Sequence, residues 1–226
     1  MKTLIHPMAA LGAAALTGLA LVSPARATII LDDFTDGDQS LGLFDPGPNT
    51  TPTTSALGNS RTITNFDGLS TISVGPSQSN SLILGSIANL STTPSVIWDG
   101  PLGSLAGING ILVDFGMVDA GTVSPGVSMS WTFVSGGDVA SVTESVPDGT
   151  IGNYLFDLSA LDTTASPFTA PDSVRLQIAF PEEAADVQIN RVKFTKSVPD
   201  SGSTAALLGL GLVVAGVGKR FAVQKS

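Results

Sequence analysis

The stretch Val127-Ser128-Met129-Ser130-Trp131-Thr132-Phe133 places an apolar side chain at every odd position and a hydroxyl at every even position. Alternation with a period of two predicts a strand that has one face in a core and the other face in solvent. Trp131 is in phase with the apolar residues, so we expect its ring in the core rather than against a ligand. The stretch therefore predicts a sheet that covers a core on one side only.

Two further stretches, residues 174–180 and 111–117, alternate in the same way. Shorter candidate strands are residues 28–34, 61–65, 70–74, 81–84, 95–98 and 151–157. Glycine and proline turn signals separate them, and no window carries a helical apolar stripe. About nine to eleven short strands at this spacing predict an all-β fold, specifically a β-sandwich of the jelly-roll type.

The last candidate strand changes phase. Val187 and Ile189 occupy odd positions, whereas Val192 and Phe194 occupy even positions. All four side chains can reach one core only if an extra residue is inserted near Asn190, as in a β-bulge. Two shorter strands joined by a kink are the alternative, and we favour the bulge.

The first 27 residues have the three parts of a signal peptide. Lys2 precedes an apolar stretch over residues 8–22, and Ala25 and Ala27 form the small-x-small site of signal peptidase. The alternative is a membrane-anchoring helix, but the run is short for a span and is interrupted by Gly12 and Gly18. We therefore predict cleavage by signal peptidase after Ala27 and export of the mature chain.

The last thirty residues have a second three-part pattern. A polar motif is followed by an apolar segment over residues 204–218 and by a basic end, residues 219–226, that begins with Lys219 and Arg220. We predict a transmembrane helix, with Lys219 and Arg220 as a membrane stop that favours the cytoplasmic side of the inner membrane. A buried core helix is the alternative, which the five glycines between 202 and 218 and the missing polar face disfavour.

The tail resembles the PEP-CTERM class of bacterial sorting signals, in its VPDSG-CTERM variant. The motif residues are Val198, Pro199, Asp200, Ser201 and Gly202. The resemblance covers residues 197–226 and implies processing by an exosortase, a membrane-embedded enzyme of Gram-negative-type bacteria that make extracellular polysaccharide. A near-copy at residues 145–149 has no apolar run after it, so we interpret it as a turn.

Between the two ends, residues 28–196 are long enough for one well-buried domain. Residues 28–197 contain 18 of the 19 acidic residues and five of the ten basic residues, so their net charge is −13. Such a charge repels nucleic acid and anionic lipid, tolerates divalent cations and leaves neutral sugars unaffected. We therefore exclude nucleic acid as a partner.

The chain has no cysteine, and its single histidine, His6, lies in the predicted signal peptide. Thiolate metal sites, cysteine nucleophiles, serine–histidine–aspartate catalysis and histidine metal ligands are therefore excluded from the mature protein. Paired carboxylates could still perform glycosidase chemistry, although no spacing singles out a pair. We predict that the protein is not an enzyme.

Residues 30–34 and 187–194 resemble the first and last strands of galactose-binding-like jelly rolls, a fold that many carbohydrate-binding modules share. In that family acidic groups near the termini hold a structural calcium. The resemblance implies a weak calcium site at Asp33 and Asn190, where asparagine replaces the usual aspartate. From the residues alone, the aspartates at 32, 33, 36 and 38 favour a solvated strand end, with calcium as the alternative. No other cofactor is expected.

Aromatic side chains at strand ends are candidate glycan contacts, because a ring face packs on the apolar face of a sugar. Trp98 precedes the turn residues Asp99 and Gly100, so we predict that it is exposed, and Tyr154 is a similar candidate. Residues 49–60 and 89–95 are predicted to be long polar loops.

These features predict an exported protein of the outer cell surface or extracellular matrix, with a non-catalytic structural or glycan-associated role. Its expected partners are signal peptidase, exosortase, the inner membrane through the tail, and extracellular polysaccharide. A secreted carbohydrate-active enzyme and a surface-layer assembly domain are the alternatives.

Overall fold

Two antiparallel sheets pack against each other in the computed structural model, which describes residues 26–54, 56–87, 91–122, 124–181 and 184–197. Thr28–Lys196 forms one compact unit. The predicted all-β sandwich is confirmed. No helix among these residues is long and apolar enough to cross a membrane. The predicted transmembrane helix at residues 204–218 lies outside the described residues.

The strands follow one another with short connections. In chain order they are β1 (Arg26–Asp32), β2 (Gln39–Leu41), β3 (Asn49–Pro52), β4 (Ser60–Thr64), β5 (Ser70–Gly75), β6 (Ser81–Ser86), β7 (Ser95–Asp99), β8 (Ile108–Asp119), β9 (Gly126–Ser135), β10 (Asp138–Pro147), β11 (Gly152–Asp157), β12 (Ser173–Ala179) and β13 (Asp186–Ser197). A 3₁₀ turn spans Pro76–Gln78, and one helical turn, α1, spans Ser166–Thr169.

The strands divide into a seven-stranded and a six-stranded sheet. The seven-stranded sheet has the order β11-β8-β13-β6-β5-β2, with β1 also paired to β13. The six-stranded sheet has the order β10-β9-β12-β7-β4-β3. Neighbours in space are mostly distant in sequence, so the pairing depends on long-range contacts rather than on hairpins alone.

The alternation that predicted β9 is borne out along its whole length. Val127, Met129, Trp131 and Phe133 are fully buried, while the intervening side chains are partly exposed. Across the interior, Phe133 on β9 lies 5.9 Å from Phe194 on β13, measured between ring centroids. The core is therefore a single layer of apolar side chains held between the inner faces of both sheets.

The predicted bulge in β13 is confirmed. Ile189 pairs with Phe115 and Arg191 with Asp114, which leaves Asn190 as the extra residue. Val187, Ile189, Val192 and Phe194 are all fully buried as a result.

The neighbouring strand β8 has a bulge of its own beside the first. Met117 pairs with Gln188 and Phe115 with Ile189, so Gly116 is skipped. A β-carbon at Gly116 would lie 2.7 Å from Cδ of Gln188, so a larger residue would displace that side chain. The two bulges lie on either side of the Ile189–Phe115 pair, and both strands therefore change phase together.

Three strands, β2, β3 and β10, were not expected from the sequence. The predicted loop at residues 49–60 contains β3 and the first residue of β4, so that prediction was wrong for these segments. β10 was missed because it is an edge strand with Ser and Thr on its exposed face, and on its other face small side chains are interrupted by Glu144. Its end includes Ser145, Val146 and Pro147 of the near-copy motif, and only Asp148 and Gly149 form the expected turn.

Candidate functional site

A buried ion pair joins the two sheets near one end of the sandwich. Nη1 of Arg61 on β4 donates to Oδ2 of Asp32 on β1 at 2.8 Å, and both side chains are fully buried. Nε of Arg61 donates to Gln39, and Nη2 donates to the carbonyls of Asp36 and Gly37. The guanidinium group is therefore satisfied on every nitrogen, as a buried charge requires.

Trp98 belongs to this network and not to a ligand surface. Its Nε1 donates to Oδ2 of Asp32 at 2.7 Å, and its ring stacks on Trp131 at 6.1 Å between centroids. The side chain is 0% exposed, so the predicted exposure of Trp98 was wrong. The indole follows the inward phase of Val96 on β7, because the strand continues through Asp99 before it turns.

The other aspartates of the acidic segment bind separate parts of the chain. The Asp33 carboxylate accepts from the Thr35 hydroxyl at 2.7 Å, and Asp36 accepts from the backbone and the hydroxyl of Thr54. Asp38 accepts from the backbone nitrogen of Ser77 at 2.8 Å. These carboxylates stabilise loops through hydrogen bonds. In the described part of the chain, no group of three or more acidic or histidine side chains could hold a metal.

The two candidate calcium ligands also have partners within the chain. Oδ1 of Asn190 accepts from the Ser81 hydroxyl at 3.0 Å and from Nε2 of Gln188 at 3.3 Å. Asp33 makes the bond to Thr35 described above. The donor set is poor for calcium, which prefers six to eight oxygen ligands. Calcium at Asp33 and Asn190 stays a prediction.

Tyr154 lies at the side of the sandwich where the edge strands β10 and β11 meet. Its hydroxyl lies 3.2 Å from Oε2 of Glu144, and Oε1 of Glu144 accepts from the backbone of Asp157. Burial raises the pKa of the Tyr154 hydroxyl, and Glu144 raises it further. The ring is half-buried against Phe115 and Phe156, so only part of it could meet a sugar. Its role as a glycan contact stays a prediction.

The outer face of the six-stranded sheet is a broad surface of hydroxyl groups, which we call the hydroxyl face. Its partly or fully exposed members are Thr50, Ser60, Thr62, Ser128, Ser130, Thr132, Ser141, Thr143, Ser145 and Ser173. The hydroxyls of β9 were recognised in the sequence, but the surface was not. It is formed by strands that are distant in sequence, so it can be predicted only from the strand order and register.

The register places these hydroxyls in rows across the sheet. Thr132 lies between Arg175 and Ser141, and the next row aligns Gln177, Ser130 and Thr143. The hydroxyls of Ser130 and Thr143 lie 2.6 Å apart. Neighbouring strands are about 4.8 Å apart, and successive outward residues of one strand about 7 Å apart. The rows therefore contain serine and threonine hydroxyls and the Gln177 amide, which both donate and accept hydrogen bonds, together with Arg175, which only donates.

Charge is nearly absent from this face. Of its outward side chains on the paired strands, Asp99 and Arg175 are the charged ones, and they have opposite signs. Burial raises the pKa of the Asp99 carboxyl, and Arg175 partly opposes this shift. In a domain whose net charge is −13, this face is electrically neutral.

The seven-stranded sheet, by contrast, carries charges on its outer face. Asp186 on β13 lies directly opposite Asp119 on β8, and Arg191 lies opposite Asp114. Burial and the neighbouring Asp119 raise the pKa of the Asp186 carboxyl above its ordinary value. The pair lies on an open sheet surface and not in a cleft.

Two open clefts lie at the end of the sandwich where β9 turns into β10. One, of about 430 Å³, is formed by residues 100–104 and 169–172, and the other, of about 380 Å³, by residues 138–140, 161–162 and 165–168. Asp172 accepts from the backbone of Gly136 and Asp162 from Thr164, and the bonds from Thr164 lower the pKa of Asp162. These carboxylates are committed to loop structure.

Most residues of the predicted targeting signals lie outside the described residues. They are Ala25, Val198, Pro199, Asp200, Ser201, Gly202, Lys219 and Arg220. Ala27 lies in β1 and is exposed.

Comparison with known proteins identifies no family for this chain. No protein-family model matches it, and no curated protein sequence is similar to it. Solved structures with similarity include a family 11 carbohydrate-binding module from Clostridium thermocellum in complex with a mixed-linked tetrasaccharide, at 13% identity. That alignment covers 76% of this chain and 96% of the module, with a TM-score of 0.40.

Two other solved structures are similar at the same low level. The module TmCBM61, in complex with β-1,4-galactotriose, is 9% identical over 61% of this chain and 88% of the module, with a TM-score of 0.37. The glycoside hydrolase domain of Endo-D from Streptococcus pneumoniae R6 is 18% identical over 52% of this chain and 18% of that chain, with a TM-score of 0.35. Similarity at this level does not identify a ligand or an activity for the chain.

We expect Asp32→Ala to lower the free energy of unfolding by about 3–5 kcal/mol, because it leaves the Arg61 guanidinium buried without a counter-charge. Urea unfolding followed by tryptophan fluorescence measures this loss. Asp138→Ala removes an exposed carboxylate from the β9–β10 hairpin and serves as the control, with a change within about 0.5 kcal/mol. A loss below 1 kcal/mol for Asp32→Ala would contradict a central role for the pair.

We expect Asp186→Asn to stabilise the fold at pH 7 by about 0.2–1 kcal/mol, because it removes the repulsion from Asp119. The ordinary pKa of this carboxyl is 3.8, and folding raises it. As the pH rises from 3.8 through the raised value, ionisation of the carboxyl therefore lowers the stability of the folded state. The gain should therefore disappear at pH 3, where the carboxyl is protonated in both states.

Thermal unfolding between pH 3 and pH 7 tests this expectation. Asp157→Asn is the control, and it should destabilise the fold at pH 7. Hydrogen bonds from Ser159 lower the pKa of Asp157, so its negative charge stabilises the folded state. An equal effect of Asp186→Asn at both pH values would show that charge repulsion is not the cause.

Proposed function

We propose that this chain is an exported, non-catalytic bacterial surface protein that associates with neutral extracellular glycan through the hydroxyl face. The observation that carries the proposal is the charge distribution. A domain with a net charge of −13 has one broad sheet surface that is neutral and carries Ser and Thr hydroxyls on five of its six strands.

A neutral hydroxyl array fits the chemistry of polysaccharide. Sugar hydroxyls donate and accept hydrogen bonds, and the side chains of Ser and Thr do both in return. Net gains of about 0.5–1.5 kcal/mol per bond, offset by ordering costs, favour weak contacts repeated along a polymer. Such contacts gain strength when many copies bind the same glycan.

The non-catalytic part of the proposal rests on the available side chains. Cysteine and histidine are missing from the mature sequence, and the carboxylates of Asp32, Asp36, Asp38 and Asp172 each accept hydrogen bonds from the chain. The Asp186 carboxyl, whose pKa is raised by burial and by the neighbouring Asp119, lies on an open face where water is not excluded.

Delivery to the surface is assigned to the ends of the chain. The signal peptide would direct export, and the motif at residues 198–202 would be processed by an exosortase. This part of the proposal rests on the sequence of the ends alone, and it fits an outer-surface or matrix location.

Ser141→Glu should weaken glycan binding about tenfold, because a carboxylate on the hydroxyl face would lose water without gaining a partner. Ser40→Glu is the matched control, since Ser40 is an exposed serine on β2 of the other sheet. Affinity electrophoresis of the full chain through gels with mixed-linkage β-glucan, β-galactan, alginate or the host's own matrix polysaccharide measures the effect.

Retardation by a neutral polysaccharide that is lost in Ser141→Glu and kept in Ser40→Glu would support the proposal. No retardation by any of the polysaccharides would overturn it. Equal weakening by both variants would place the binding elsewhere, and retardation by alginate alone would contradict a neutral ligand.

We expect the protein from the host's surface or culture fluid to begin at Thr28 and to end near residues 198–202. Intact-mass measurement in strains with and without the exosortase tests this, and the processed species should be missing when the enzyme is deleted. A chain that ends at Ser226 in both strains would make the tail a plain membrane anchor and would refute exosortase sorting.

A further inference from the structure

Three large apolar side chains are exposed together on two adjacent loops, and we call them the apex patch. Phe44 is 79% exposed, Phe66 58% and Leu43 40%. Leu43 and Phe44 lie on the loop between β2 and β3, and Phe66 lies on the loop between β4 and β5. Exposed aromatic side chains of this size lose the free energy that burial would provide.

The apex patch lies at the end of the sandwich opposite the exit of the chain. Leu41, at the end of β2, pairs with Ile72 near the start of β5, and Ser70 pairs with Ser86. Asp186, at the start of β13, pairs with Gly85 at this same end. Since β13 ends at Ser197, the chain leaves the sandwich at the other end.

Backbone hydrogen bonds fix the two loops to each other. The backbone nitrogen of Phe44 donates to the carbonyl of Gly68 at 2.6 Å, and that of Asn65 donates to the carbonyl of Pro46 at 3.1 Å. The Asn65 side chain is fully buried and bonds to Ser70. The exposed rings therefore project from a rigid base rather than from a free loop.

Phe44 has a backbone conformation that suits a different residue. Its φ angle is +65°, in the left-handed region where a bulky side chain is a genuine outlier. Such conformations cost of order 1–3 kcal/mol and occur preferentially at functional sites. Asparagine or glycine would adopt this angle more easily, so the ring is present at a cost to stability.

The surroundings of the patch indicate a neutral, hydroxylated ligand. Asp45 and Asp67 are exposed beside the rings, and the two loops contain no lysine or arginine. Their Oδ1 atoms accept loop bonds from Gly47 and from Leu69 with Thr92. Their Oδ2 atoms accept no hydrogen bond from any residue in the described ranges, so both can accept from a ligand hydroxyl.

Ring faces beside carboxylate acceptors match a pyranose, which has an apolar C–H face and a rim of hydroxyl donors. An anionic polymer would be repelled by the two carboxylates, and an apolar protein segment would leave them without donors. We propose that the apex patch binds a pyranose ring of a neutral glycan by stacking on Phe44 or Phe66. This inference rests on the proposed function and assigns it a second contact site.

The test uses Phe44→Asn, which removes the ring and relieves the strained backbone, so the fold should be at least as stable as before. Affinity electrophoresis of the full chain in mixed-linkage β-glucan and in β-galactan should show about a tenfold loss of affinity in the variant that lacks the stacking ring, Phe44→Asn or Phe66→Ala. Ile151→Ala is the control, since Ile151 is 75% exposed and precedes β11, at the edge of the seven-stranded sheet farthest from β2.

The outcomes separate this inference from the proposed function. If the wild-type chain binds glycan and Phe44→Asn and Phe66→Ala bind equally well, the apex patch is not a glycan contact, although the proposed function stands. If the wild type binds none of the polysaccharides, both proposals fail. Self-association in sedimentation that Phe44→Asn abolishes, without any effect on glycan binding, would instead assign the patch to a second copy of the chain.

Discussion

The ion pair between Asp32 and Arg61 is the interaction on which the rest of the structure depends. It joins β1 of one sheet to β4 of the other inside the core, and Trp98 adds a third strand, β7, through the same carboxylate oxygen. A buried pair contributes little net stability, but breaking it is costly because one charge is left alone. The ion pair therefore disfavours any packing of the sheets that would separate these strands. We infer that its main contribution is to the specificity of the fold.

The periodic parts of the sequence predicted the fold well, because burial on one face leaves a direct signal at every second residue. The phase change between Ile189 and Val192 was sufficient to locate the bulge at Asn190. The second bulge, at Gly116 in β8, was not predicted. A glycine within a strand does not indicate which neighbouring side chain occupies the space of its missing β-carbon, and here it is Gln188. Edge strand β10 was missed because one of its faces is polar and the other holds small or charged side chains.

The candidate site was much less predictable, because it depends on contacts between distant strands. Trp98 was expected at the surface from the turn residues after it, yet the hydrogen bond to Asp32 and stacking on Trp131 hold it in the core. The hydroxyl face needs the register of β9, β10 and β12 before it can be seen at all. The loops that carry Phe44 and Phe66 lie side by side through backbone bonds between distant residues, from Phe44 to Gly68 and from Asn65 to Pro46.

The two candidate binding surfaces have different chemistry and would act differently on a polymer. Hydroxyl contacts are individually weak and exchange easily with water, so the hydroxyl face alone would bind a glycan loosely along its length. An aromatic contact excludes water over a larger apolar area, so the apex patch would fix one sugar more strongly. Loose lateral contact combined with one firmer contact at the tip would fit the non-catalytic glycan association proposed for this chain.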